Sequence, residues 1–402
     1  LAGRYRFNGS GGAVVNHGML RTADGGYVAF VAPGVQNDGS ITAPNGTVSL
    51  AAGSQVSLDF AGDKLLSFTI EQGVIDALIE KQAMIEADGG AVYLSARAAD
   101  SLMSAVINQS GVIAANGLNS RGGRIVLDAD LTTVSGTLDA SAASGQGGTV
   151  IATGERVLVK SGAHLNASGA LGGGEVLVGG SWQGKDASIR QATATVIEKG
   201  AKLEANATAK GAGGTVVAWS KVGDSASVTR AYGSFEANCG ASGGNGGRIE
   251  TSGHWLDIAG ATGSAAAAQG LAGDWLLDPY NVTITGLTAS GDWGSAGGTD
   301  TWTPSANSST ILNTDINSKL EAGTNVIVTT TGAGAQIGDI TVDAAITKAS
   351  GASDVSLTLR AANSIVVNQA ITNSGGAGKL NVVLDADNDN GTADGAGIVL
   401  LN

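Results

Sequence analysis

One phrase recurs down the first two thirds of this chain. An apolar stretch ends in a polar residue and Gly; aliphatic-x-Ala, Gly-Gly and alternating aliphatics follow. Asn37-Asp38-Gly39-Ser40-Ile41-Thr42-Ala43 leads to Gly46-Thr47-Val48-Ser49-Leu50, and Gly111-Val112-Ile113-Ala114-Ala115 leads to Gly122-Gly123-Arg124-Ile125-Val126-Leu127. The first aliphatic after each Gly-containing turn falls at Val28, Val48, Val92, Ile125, Val150, Val176, Val216 and Ile249. The spacings are 20, 44, 33, 25, 26, 40 and 33 residues. The two largest are close to twice the smallest. Each holds an apolar stretch without its own Gly-Gly (Phe68 to Ile70, Val196-Ile197), which predicts an unmarked unit in each gap.

A unit of about 20 to 26 residues is solenoid spacing. Within units the alternation has period two, as in Val48-Ser49-Leu50, which argues strand rather than helix. Such a unit cannot bury its own inner face and must stack on its neighbours. Gly-Gly and Asn-x-Gly suit the turns, because glycine, and to a lesser degree asparagine, reaches positive φ. Small inward residues (Ala, Val, Ile) fit a narrow tube without room for rings. The expected fold is all-β: a parallel β-helix, right-handed by the general preference of parallel crossovers. About 16 to 19 coils advancing ~4.8 Å each would give a rod on the order of 80 to 90 Å long.

Composition supports one repeated architecture. Of 402 residues 64 are Gly and 4 Pro, with aromatics at 4% and charged residues at 14%; such an aliphatic, charge-poor chain can bury a core. The formal net charge of -13 and the lack of any basic run disfavour nucleic acid and anionic membrane surfaces. Cys239 is the single cysteine, so no intrachain disulfide or thiolate metal cluster forms. No apolar run approaches the ~18 residues of a membrane span.

After Leu271 the wording changes. The organisation expected is a first repeat series over 1–270 and a second over 271–402, richer in Thr and Asn, as one continuous stack. An insertion over 287–322 interrupts the second series. Residues 287 to 311 are Gly-, Ser- and Thr-rich with Trp293 and Trp302, and read as a loop extruded from the coil. Asn313 to Leu320 reads as a short helix with Thr314 as N-cap and Gly323 ending it.

Candidate chemistry is sparse. His17, His164 and His254 carry no metal-ligand spacing and read as exposed turn residues. Gly240-Ala241-Ser242-Gly243-Gly244 matches a nucleophile elbow only as a string, in a Gly-rich turn. Asn313-Thr314-Asp315 resembles one polygalacturonase motif, but its Asp-Asp, Gly-His-Gly and Arg-Ile-Lys companions are missing. Asp385, Asp387 and Asp389 alternate before Gly391, as in calcium loops, although Asn390 stands where such a loop needs Gly; a plain Asx-rich turn is the competing reading. Calcium is the one cofactor the residues suggest. Trp293 and Trp302 are carbohydrate-binding candidates, since exposed rings stack on sugars, with a small satellite core as the alternative.

Several runs resemble the filamentous-haemagglutinin-like exoproteins of bacterial two-partner secretion. They include Leu1-Ala2-Gly3-Arg4-Tyr5-Arg6-Phe7 running into Gly11-Gly12-Ala13-Val14-Val15-Asn16, Gly25-Gly26-Tyr27-Val28-Ala29, and Ala51-Ala52-Gly53 with Leu58-Asp59-Phe60. The most specific is Trp275-Leu276-Leu277-Asp278-Pro279-Tyr280-Asn281-Val282-Thr283-Ile284. The resemblance implies a right-handed parallel β-helix exported by an outer-membrane β-barrel partner. It would be secreted or held at the bacterial surface, adhering to host cells, other bacteria or biofilm polysaccharide. The family's Asn-Pro-Asn-Gly-like secretion motif is absent; it is expected upstream, in a secretion domain preceding the first series, so these residues alone should not be export-competent. The leading expectation is an adhesive rod without a catalytic site. The alternatives are the inert stalk of a contact-dependent toxin and a β-helix polysaccharide lyase or hydrolase.

Overall fold

The computed structural model describes all residues except 1–2, 10, 62–63, 74–76, 100–104, 118–121, 288–290, 297–298, 305–307, 331–336 and 389–396. Parallel strands stack into three walls around one continuous apolar core. In the first wall the marker residues stand in direct register: Val28, Val48, Val92, Ile125, Val150, Val176, Val216 and Ile249, each paired with the next. Trp275, Val326, Leu357 and Val382 continue the column across residue 271. The third wall repeats the aliphatic-x-Ala phrase, with Ile41, Ile85, Ile113, Leu138, Leu165, Leu203 and Phe235 stacked inward.

The corners explain the sequence signals. A Cβ on Gly173 would sit 1.9 Å from the Ala205 carbonyl oxygen of the next coil, and one on Gly247 2.2 Å from that of Gly214, so the Gly-Gly pairs are required by backbone contact between rungs. Where the second wall meets the third, inward polar side chains tie the first turns. Asn16 Nδ2 donates to Asn37 Oδ1 (2.7 Å), Asn37 Nδ2 to the Gly39 carbonyl (2.9 Å), and Gln109 Nε2 to the Gly111 carbonyl (2.6 Å). Buried Lys81 sits between them, donating to the carbonyls of Ala83 and Val112. At the other end of the second wall, inward Thr132, Thr195 and Thr229 each donate 2.7 Å bonds to carbonyls of the neighbouring coil. Asn37, Lys81, Gln109 and the three threonines thereby donate to backbone carbonyls that the turns and neighbouring coils leave open.

Five expectations change. The 44- and 40-residue gaps hold no hidden coil, because Val48 pairs directly with Val92 and Val176 with Val216. Phe68 to Ile70 belong instead to an antiparallel sheet outside the tube, made by Gly3–Asn8, Gln55–Ala61 and Lys64–Gln72. The 40-residue gap comes from a segment that folds over the first wall, and Val196-Ile197 lie in the second wall of an already marked coil. The described first wall therefore has twelve rungs, a rise of roughly 55 Å rather than 80 to 90 Å. The tube also admits rings: Phe235 and Trp275 are fully buried with centroids 5.5 Å apart. The third wall makes room there, opposing Gly263 to Phe235.

The helix forms over Asn313–Glu321, but Leu312 is its N-cap and Thr314 lies within its first turn. Gly323 follows at φ +79°, as its end signal predicts. The helix buries Ile316, Lys319 and Leu320 and takes the place of a third-wall strand between Thr262–Ser264 and Ile346–Lys348. Lys319 Nζ lies 4.3 Å over the Trp275 ring and donates to the Ala261 carbonyl (3.2 Å). The strand Ser309–Leu312 pairs with Val282–Thr285, which precedes it in sequence and in turn pairs with Ile340–Val342. The chain thus leaves the second wall, forms the hairpin Gly291–Ala296/Thr299–Pro304, and re-enters on the N-terminal side of its own exit.

Candidate functional site: a cleft on the outer face of the first wall

Residues 179–193 leave the first wall after Glu175–Val178, fold back across its outer surface, and rejoin the second wall at Ala194–Ile197. They cover a second apolar cluster of Ile151, Leu177, Val217, Trp219, Val222 and Tyr280, against which Trp182 and Ile189 pack. Strands here are buried on both faces, so Val176-Leu177-Val178 and Val216-Val217-Ala218 are unbroken aliphatic runs. Gly180 is obligatory: a Cβ would lie 2.3 Å from Trp219 Cδ1. The far end of the segment is pinned by Arg190, whose guanidinium reaches Asp130 (2.9 Å), Glu155 (3.6 Å) and the Ala129 carbonyl (3.2 Å). The near end is held by Glu250, whose Oε2 accepts the Gln183 backbone N–H at 2.7 Å.

Between this segment and the wall lies a cleft of about 570 Å3, lined by Arg124, Thr149, Glu175, Trp182, Lys185 and Asp186, with Ile151 and Leu177 of the wall as its apolar floor and Ile189 of the segment facing them. It shares Arg124 and Ile151 with an adjoining hollow of about 490 Å3 that adds Arg97, Asp128 and Arg190. Arg248 stacks 4.5 Å over the Trp182 ring and donates to Thr215 Oγ1 (2.9 Å). Hydrogen bonding from Ser188 holds the Asp186 carboxyl below its usual range. Burial pushes that of Asp128 up, against the pull of Arg97 and Arg190. Behind the cleft, burial raises Glu250 to about 7 and Asp278, beside it, to about 8. An aromatic ring, two cationic groups (Arg124 and Lys185) and two carboxylates (Glu175 and Asp186) thus line one apolar-floored cleft.

Trp293 and Trp302 are cross-strand partners in the hairpin; their side chains lie outside the described residues. Asp385 pairs with Arg360 at 3.1 Å and accepts from Asn388 Nδ2, and Asp387 sits at φ +60° with its N–H on the Asn363 carbonyl (2.8 Å). Asp389 lies outside the described residues. The pattern at Asp385 and Asp387 is that of a tied turn, and among the described residues no group of three or more His, Cys, Asp or Glu converges as metal ligands would.

His17 is exposed beside Asp38, and His164 Nε2 lies 2.7 Å from Glu204 Oε2. His254 departs from the expectation of an exposed turn. It is buried, stacked 4.3 Å from Tyr280, with Nδ1 3.0 Å from the Val222 carbonyl, because the turn around Val222 folds over it. Asp315 accepts the Gly260 N–H, tying the helix start to the third-wall turn. Gly240 to Gly244 form a turn with Gly243 and Gly244 at positive φ. The sequence reading missed the cleft; its signals were the unbroken aliphatic runs and the 40-residue spacing.

Among the described residues no helix is long and apolar enough to cross a membrane. No protein-family model matches the chain, and no curated protein matches it. Among solved structures, the chain, a parallel β-helix, is similar to the HMW1 secretion domain from Haemophilus influenzae, with TM-score 0.54 and 28% identity, over 66% of this chain and 66% of that one.

Proposed function

We propose that this chain is a segment of a bacterial two-partner exoprotein, exported through an outer-membrane β-barrel transporter and acting at the cell surface as an adhesive rod. The observation that carries this reading is the likeness to a secretion domain, together with the sequence runs that resemble two-partner exoproteins. A three-walled helix suits the role physically. Each rung templates the next through parallel hydrogen bonding, so a chain emerging end-first can fold progressively by adding coils. The cleft under residues 179–193 is the attachment surface. Its ligand is a surface or matrix polysaccharide, held by stacking on Trp182 and by bonds from Arg124, Glu175 and Lys185 to hydroxyls, without cleavage. The test expresses the full-length protein in a Gram-negative host with and without its cognate transporter. Surface or medium material only in the presence of the transporter supports the reading. Equal export in both strains overturns it.

A further inference from the structure

Three backbone ladders run side by side through the first series. The second wall is paired from Ala13–Asn16 to Trp255–Asp257 and the third from Met19–Arg21 to Thr262–Ser264. At the next level only the first wall continues, where Asp274–Pro279 pairs with Asn325–Thr329. Among the described residues, no ladder joins Trp255–Asp257 to Ser309–Leu312, or Thr262–Ser264 to the helix. Side chains bridge both places instead. Leu256 N–H donates to Ser309 Oγ (3.0 Å), Gly260 N–H to the Asp315 carboxylate (3.2 Å) and Ala265 N–H to Thr324 Oγ1 (2.8 Å), while Lys319 Nζ donates to the Ala261 carbonyl (3.2 Å). Ser309, Lys319 and Thr324 are at most 1% exposed. These bonds serve the open edge of the first series as a capping repeat serves the end of a solenoid.

Chain order marks the same level. Ser309–Leu312 lies between Trp255–Asp257 and Val282–Thr285, although it follows both in sequence. Coil-by-coil growth therefore stops after Pro279 until Ser309–Leu312 arrives. Val282–Thr285 takes its strand partners, Ser309–Leu312 and Ile340–Val342, from residues that follow it. The apolar core passes through this level unbroken, so the interruption lies in backbone bonding and not in packing.

We propose that the rod is jointed at this level: Val282–Thr285, Ser309–Leu312, the helix and the coils beyond them open and close as one cooperative unit while the first series stays folded. In a stacked solenoid, cooperativity passes through nearest-neighbour interfaces, and a weaker interface divides the stack. Two of three ladders are missing at this one. Beyond it the first wall has three rungs, Asn325–Thr329, Val355–Arg360 and Leu380–Asp385, about the fewest repeats that hold a solenoid together. The shorter unit is therefore the one that opens. Opening it breaks one ladder and four side-chain bonds, whereas parting the first series between coils breaks three ladders. The cleft lies in the first series and keeps its form throughout.

The experiment is native-state hydrogen exchange of the purified chain in increasing, sub-denaturing guanidinium. It reads Asn325–Thr329, Ile340–Val342 and Val355–Arg360 against Thr149–Val159 of the first series. The strands beyond the joint should converge on one opening, roughly tenfold or more frequent than that of Thr149–Val159 and with a smaller denaturant slope, because it exposes less surface. Protection should step between Asp274–Pro279 and Asn325–Thr329. Leu165→Ala, in the first series, should raise the opening of Thr149–Val159 roughly thirtyfold or more and leave that beyond the joint unchanged. Thr324→Val strands the Ala265 N–H and should raise the opening beyond the joint roughly tenfold. One opening shared by both series, protection that falls coil by coil without a step, or an equal effect of Leu165→Ala on both would overturn the joint. So would a Thr324→Val chain that opens like the wild type. The wild-type comparison needs no variant, so a substitution that failed to fold would leave the test intact.

Discussion

Removing the Trp275 ring tests how this narrow tube accommodates a buried charge. Trp275 is fully buried against Phe235, with the Lys319 ammonium 4.3 Å over its ring and Lys319 itself 1% exposed. Trp275→Ala leaves a ring-sized cavity, which costs about 3 to 5 kcal/mol. It also strands Lys319, for which the desolvated cation–π contact is worth ~2 kcal/mol. A cycle of Trp275→Ala, Lys319→Met and the double variant separates the two effects: the cavity cancels, and the coupling should be about 1 to 2 kcal/mol near pH 6.5. Burial pushes Lys319 down from 10.5 to about 8, with Asp315 pulling it back up. The folded chain therefore binds fewer protons than the unfolded one between pH 8 and 10.5. Lys319 strengthens the fold as pH rises through that window and weakens it as pH falls through 8. Once the amine is neutral the ring has no cation to hold, so at pH 10 the coupling should shrink below about 0.5 kcal/mol. Denaturant unfolding followed by far-UV circular dichroism reads the values, since the substitution removes a fluorophore. Coupling that is absent at pH 6.5, or equal at both pH values, would refute the argument.

Gly173→Ala should lower the unfolding midpoint by an amount equivalent to about 2 kcal/mol or more, because its Cβ meets the next coil's backbone. Gly162→Ala, at φ +82° with open space around it, should cost only about 1 kcal/mol. Lys81, pushed down by burial from 10.5 to about 7, should make the wild-type chain more heat-stable as pH rises from 7 toward 10.5, and Lys81→Met should lose that slope. Arg190→Ala should raise hydrogen exchange over residues 179–193 while shifting global stability by less than about 1 kcal/mol, since its ion pairs are partly exposed.

The walls were legible because each coil must repeat its inward aliphatics and corner glycines; Val48, Val92 and Ile125 announce themselves by position. Features outside that repetition were not. Phe68 to Ile70 alternate like any strand, and nothing local says that their partners run antiparallel outside the tube. The spacing of Val176 and Val216 looked like two units, when the extra residues pack on the outer wall and form the cleft. Trp275 could enter the core only because a glycine and a helix replace ordinary third-wall residues far away in sequence. Thr314 has the composition of a cap, but the strand Ser309–Leu312 runs straight into the helix and leaves Leu312 at that position. At the Asp385 cluster, Arg360 of the preceding coil pairs with the first carboxylate, a partner that the alternation of Asp residues does not announce.

The most direct test of the attachment reading incubates the purified chain with a panel of bacterial and host polysaccharides, scoring retention and newly released reducing or unsaturated ends in the same wells. Retention without new ends, weakened in a Trp182→Ala chain, is the predicted result. Release of chain ends would contradict it by making the chain an enzyme, and retention unchanged in Trp182→Ala would place binding away from the cleft.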